Sequence, residues 1–94
     1  MPDMTAMDAA LRQNLIDRLK RIEGQARGIQ KMIEEGRDCD AVINQVSAMK
    51  SATHALSGKL LESYITYCLS HPEDLGSPEK TISTMVNTVV RANR

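Results

Sequence analysis

The chain has 94 residues, with twelve acidic and twelve basic side chains, two Tyr and no Phe or Trp. Such a length holds one domain with a small core, a size that often leans on self-association. Zero formal net charge excludes a purely electrostatic nucleic-acid binder unless the charges are unevenly placed. Met1-Pro2-Asp3-Met4 carries no basic region followed by an apolar run, so no signal peptide is expected. No stretch reaches the ~20 apolar residues of a membrane span. The expectation is a cytoplasmic protein with no membrane partner, in which thiols stay reduced. Cys39 and Cys68 then read as inert packing residues, metal ligands or redox-active thiols.

Abundant Ala, Leu, Ile, Met, Lys, Arg, Glu and Gln predict an all-α fold. The chain reads as one helical domain over 1–94, with helices at about 8–35, 39–70 and 78–92. Thr5 or Asp8 can cap the first. Leu15, Leu19, Ile22, Ala26, Ile29 and Ile33 recur at spacings of four and three, forming a seam for another helix. Gly36-Arg37-Asp38 breaks it, with Gly36 suited to a left-handed C-terminal cap and Asp38 to the next N-cap.

The second helix carries its apolar stripe on Val42, Val46, Met49, Thr53, Leu56 and Leu60, and His71-Pro72 ends it. Residues 73–76 read as a loop. Ser77-Pro78-Glu79 then opens a third helix, with serine at the cap and proline in the first turn. Ile82, Met85, Val86, Val89 and Val90 mark its apolar face. The middle helix would span about 45 Å, against a diameter of about 32 Å for a compact monomer of this size. An overhang of that kind argues for a homodimer made by antiparallel helix pairing.

Cys39 and Cys68 lie 29 residues apart on that helix, which separates them by roughly 43 Å and rules out an internal disulfide or a shared metal. Twenty-nine residues also make eight turns plus about 20°, so both sulfurs point nearly the same way. If the helix pairs with an antiparallel copy about a two-fold axis near Thr53 and His54, Cys39 of one chain meets Cys68 of the other. On the wheel both cysteines flank the apolar stripe, about 60° from its centre. The start of a helix favours thiolate at Cys39, although Asp38 and Asp40 oppose it, and the end of a helix disfavours it at Cys68. One attacking and one resolving thiol would suit that difference.

The ordered set of Arg18-Leu19-Lys20-Arg21-Ile22-Glu23-Gly24-Gln25 with Gly28, Cys39, Val42-Ile43-Asn44-Gln45-Val46-Ser47-Ala48, Leu60-Leu61-Glu62 and Cys68 resembles the copper-sensitive operon repressor (CsoR/RcnR-like) family. The match covers nearly the whole chain from Leu15 to Val90. The resemblance implies a three-helix protomer, a dimer built as an antiparallel helical bundle, and a tetramer of two dimers. It also implies an apo form that represses transcription and is released from operator DNA by a ligand or by thiol chemistry.

In the family's copper sensors, Cu(I) is bound by a cysteine at the Cys39 position and by a His-x-x-x-Cys element ending at the Cys68 position of the partner. Here Tyr64 stands where that imidazole would be, and a phenol is a poor ligand for a soft monovalent metal. Thr84 stands roughly where the copper sensors keep an acidic residue. Two thiolates without the imidazole resemble instead the persulfide-sensing (CstR-like) branch, whose cysteines become bridged across the dimer. His54 and His71 do not occupy the positions that the nickel and cobalt branch needs. The formaldehyde branch keeps a cysteine at the Cys39 position, but this chain adds Cys68 and different flanks.

Lys20, Arg27 and Lys31 fall within about 40° on the first helix, opposite its seam. Arg18, Arg21 and Gln25 form a second row at the seam's edge. Arg18 and Gln25 match the family's DNA-contact motif, while Arg21 and Lys50 are supported by charge and position. The bland alternative is a solvated helix face. The expectation is therefore a repressor without a resident cofactor, releasing operator DNA when Cys39 and the partner's Cys68 react with persulfides or other reactive sulfur species. A Cu(I)-sensing repressor using the same two thiols is the alternative within the fold. A non-enzymatic helical adaptor, docking through the long apolar stripe, is the alternative outside it. No nucleophile–base pair, phosphate loop or closed ligand set points to an enzyme.

Overall fold

Each long helix starts on a side chain that satisfies backbone N–H groups which its first turn leaves over. Asp8 accepts from the Leu11 N–H at 2.7 Å, Asp38 from Ala41 at 2.9 Å, and Ser77 from Lys80 at 3.3 Å. The computed structural model describes residues 2–74 and 76–93. It consists of α1 (Ala9–Glu34), α2 (Cys39–Ser70) and α3 (Pro78–Ala92), with 3-10 turns at Met4–Ala6 and Pro72–Asp74. The architecture is three-helix and all-α, and no strand occurs among the described residues.

The other candidate cap, Thr5, instead donates through its N–H and hydroxyl to Asp3 in the Met4–Ala6 turn. The Thr5 hydroxyl, more than any other neighbour, holds the Asp3 carboxyl below its ordinary range. Residues 73 and 74 of the expected loop join Pro72 in a 3-10 turn, and residue 75 lies outside the described residues.

α1 stops because Gly36 adopts φ 71°, a left-handed conformation that side-chain-bearing residues avoid. Its N–H bonds the Ile33 carbonyl at 3.1 Å, and the Arg37 N–H reaches back to Met32 at 3.0 Å. This 6→1 and 5→2 pair closes the helix end in a Schellman motif. Four residues, 35–38, separate α1 from α2.

The chain divides into two compact units, Gln13–Leu56 and Met1–Arg12 with Ser57–Arg94. In the first, Leu15 and Ile29 are buried and Ile22 is half-buried, seven residues apart in turn. Arg18, Gln25 and Met32 are half-buried between and beyond them, while Leu19 and Ile33 are exposed. The inward face of α1 is therefore turned slightly from the expected seam, and it takes in two polar side chains. From α2 this unit turns Val42, Met49, Ala52 and Leu56 inward, leaving Ile43 and Val46 exposed.

In the second unit α3 divides its apolar residues between two faces. Thr81 is buried, and Thr84, Met85, Thr88 and Val89 are half-buried, whereas Ile82, Val86 and Val90 are 62%, 54% and 53% exposed. The inward threonines are tolerated because their hydroxyls bond helix carbonyls: Thr81 to Ser77 at 3.0 Å and Thr88 to Thr84 at 2.9 Å. Met85 and Val89 hold α3 to its unit, and the apolar stripe named from sequence is half outside.

Gly→Ala substitutions should separate backbone from packing effects in this fold. None of Gly24, Gly28 and Gly36 has a neighbour that an added Cβ would strike. Gly36→Ala should lower stability by about 1 kcal/mol, from its positive φ alone. Gly28→Ala, in a helix interior, should raise it by about 0.5–1 kcal/mol. Urea unfolding followed by circular dichroism reads both signs; two shifts of the same sign would contradict the account.

Candidate sensing thiols and basic helix face

Both cysteines belong to α2, one as its first residue and the other two residues before its last. Asp38 caps the turn that presents Cys39, which is exposed. Cys68 is 2% exposed. The flanking position expected for both sulfurs thus describes only Cys39. At Cys68 the C-terminal half of α2 also turns Leu61, Tyr64 and Ile65 partly inward, so a residue beside the stripe is enclosed by its own unit. Tyr64 is half-buried, one turn before Cys68. Among the described residues no three His, Cys, Asp or Glu side chains are grouped to hold a metal ion.

Along α1, Lys20, Arg21, Arg27 and Lys31 are exposed, and Lys50 is exposed on α2. Arg27 pairs with Glu23 at 3.0 Å and Lys31 with Glu35 at 3.8 Å. Both are solvent-exposed i,i+4 pairs, worth little and readily exchanged for a stronger anion. Lys20 and Arg21 have no carboxylate within ion-pair distance among the described residues. Arg18 is half-buried, and its Nε donates to Asn14 Oδ1 at 2.9 Å. That bond fixes the stem and leaves the terminal nitrogens of the guanidinium for another partner.

Gln25 differs most from its sequence reading. Its Oε1 is buried without a hydrogen-bond partner, so the amide is partly an element of the inward face. The signal was present: Gln25 lies in the 15–18–22–25–29–32 series, the three-four spacing of a helix seam. The stack of Tyr67 on His71, 4.3 Å between centroids and 13° from parallel, also escaped the sequence reading, although an i,i+4 aromatic pair is recognisable.

Residues 11–91 match the family described as "Metal-sensitive transcriptional repressor". The chain belongs to that family. It is 39% identical over 77 residues to the copper-sensing transcriptional repressor RicR of Mycobacterium tuberculosis, covering 80% of each chain. It is 37% identical over 76 residues to the copper-sensing transcriptional repressor CsoR of Bacillus subtilis, covering 81% of this chain and 75% of that one. The structure is similar to that of the copper-sensing repressor CsoR with Cu(I) from Geobacillus thermodenitrificans. There the TM-score is 0.83 and the identity 31%, over 100% of this chain and 94% of that one. These relatives are repressors rather than enzymes.

The difference in exposure of the thiols has a direct readout. Iodoacetamide added to the native protein should alkylate Cys39 well before Cys68, with Cys68 catching up only in denaturant. Peptide mass spectrometry of timed samples measures the order. Equal rates in the native state would show that Cys68 is not enclosed in solution.

Proposed function

We propose that this protein is a transcriptional repressor that binds operator DNA as a homo-oligomer and releases it when Cu(I) is held by Cys39 of one subunit and Cys68 of its partner. The observation that carries the choice of effector is the pair of relatives, 39% and 37% identical, that are copper-sensing by name. Two thiols are the right donors for a soft monovalent ion. A single chain groups no metal-binding set among its described residues, so the proposal needs two chains. Self-association is supported by the apolar surface that one chain leaves bare: Ile43 and Val46 on α2, and Ile82, Val86 and Val90 on α3. A dimer, and a tetramer of two dimers, would cover such stripes.

Lys20, Arg21, Arg27, Lys31 and Lys50 would supply phosphate contacts, with Arg18 and Gln25 at the edge of the same face. A protein of zero net charge can bind DNA in this way because one helix face concentrates its cations.

One feature favours a second effector. By the resemblance to the family's copper sensors, Tyr64 stands where they keep a ligating imidazole, which supports reactive sulfur as the inducer. In that chemistry the Cys39 thiolate attacks the outer sulfur of a persulfide RSSH, forming Cys39–SSH and releasing the thiol RSH. Cys68 of the partner then attacks Cys39 Sγ and expels hydrogen sulfide. Two protein thiols and one persulfide become one disulfide, one thiol and one hydrogen sulfide.

Anaerobic Cu(I) titration, with operator binding followed by fluorescence anisotropy, tests the main reading. Tight binding lost in both Cys39→Ser and Cys68→Ser, with a weakened wild-type DNA complex, is the expected result. No change in DNA affinity with Cu(I), together with release and a covalently linked dimer after persulfide treatment, would replace copper by reactive sulfur. For the DNA face, Arg18→Ala should weaken operator binding without altering helical content. Lys20→Ala should lower the slope of log K against log salt by about one at most. Wild-type affinity in both variants would reduce the face to solvated surface.

A further inference from the structure

Within the unit that contains the chain's N-terminal segment, α2 and that segment border a groove of about 420 Å³. That volume falls in the range of small-molecule sites. Around α2 the groove is turned away from Cys68: the residues that the helix gives to it centre roughly 150° from that cysteine.

Acceptors predominate in its lining, beside the hydroxyl of Thr66, which can donate or accept. Ser63 and Ser70 line it, but their hydroxyl protons are already donated to the carbonyls of Lys59 and Thr66, each at 2.8 Å. What each presents is an oxygen that accepts. His71 lies stacked on Tyr67, with its Nδ1 3.2 Å from the Tyr67 carbonyl oxygen. Because a carbonyl only accepts, Nδ1 is the donor in that contact.

Two carboxylates complete the lining. Asp8 uses one oxygen on the Leu11 N–H, and neither Asp8 nor Glu62 has a cation within ion-pair distance among the described residues. Met7 and Leu11 add an apolar patch beside them. The site therefore offers acceptors, negative charge, a flat aromatic wall and room for a short alkyl stem. It holds no metal-binding group of three His, Cys, Asp or Glu among the described residues.

We propose that this groove binds a small organic cation whose amine or guanidinium N–H groups bond the carboxylates and serine oxygens, while its aliphatic stem lies on Met7 and Leu11. Charge alone does not satisfy the site. N–H donors add to it, because hydrogen bonds to ionised carboxylates are roughly twice as strong as neutral ones and a cation without N–H groups makes none.

The test titrates the isotope-labelled full chain with agmatine, which carries a guanidinium and an ammonium on a short stem. Tetramethylammonium, a cation without N–H donors, is the control at matched ionic strength. Saturable amide shifts confined to Leu11, Ser63, Tyr67 and His71 are expected with agmatine and absent with tetramethylammonium. Glu62→Gln, at an exposed position, should weaken agmatine binding by about two- to fivefold, while Glu34→Gln on the other unit leaves it unchanged. Shifts that do not saturate, that tetramethylammonium reproduces, or that survive Glu62→Gln at full affinity would each overturn the site.

Discussion

A long amphipathic helix must hide its apolar side chains, and three helices of this length provide too few neighbours to do it. Leu15, Ile29 and Cys68 are the buried hydrophobic residues among those described. A fully buried aliphatic side chain contributes roughly 1.5–3 kcal/mol, while ordering each residue costs about 1–2 kcal/mol of backbone entropy. So thin an interior leaves little to set against the cost of order. The stripes on α2 and α3 that stay outside are the stabilisation a single chain has not yet gained. Self-association, DNA binding and a site made from two chains all rest on how those stripes are covered in the proposed assembly.

The same shortage shapes the two thiols. α2 starts as soon as the turn after α1 permits, so Cys39 sits in the first turn, where few side chains surround it. Near the other end, the helix has the N-terminal segment and α3 in its unit, and Cys68 is enclosed. A response that needs both sulfurs would begin at the open one and proceed at a rate set by local opening around the other. That ordering belongs equally to copper capture and to sulfur exchange, and it distinguishes neither.

The three-helix architecture was legible because its signals are local. Asp8, Asp38 and Ser77 are caps with one residue type for one task, and Gly36 marks a left-handed turn whatever surrounds it. Membership of the repressor family was legible in the ordered motif from Arg18 to Cys68. What escaped was orientation. Periodicity showed that α1 and α3 have apolar stripes but not which edge of each stripe faces its own unit. Hence Leu19 and Ile82 read as seam residues and are exposed, while Gln25, read as a DNA contact, and Thr81, left off the apolar face, lie partly or wholly within. The threonines show why: a hydroxyl bonded to its own helix carbonyl behaves as a small apolar group, and nothing in the sequence announces that bond. The effector was not legible: Tyr64 led the sequence reading to reactive sulfur with Cu(I) second, and the copper-sensing relatives support the reverse order.

The short turn between α1 and α2 also limits how this chain can evolve. Surface loops ordinarily accept insertions at little cost. Here every residue of the turn is in use: Gly36 and Arg37 bond back to close α1, and Asp38 caps the first turn of α2. One residue more or fewer would take one of these groups away from its bond. Descendants of this sequence can exchange the chemistry at Cys39, Tyr64 or Cys68 one side chain at a time. A change in the length of the turn would instead have to replace the bonds that end one helix and start the next.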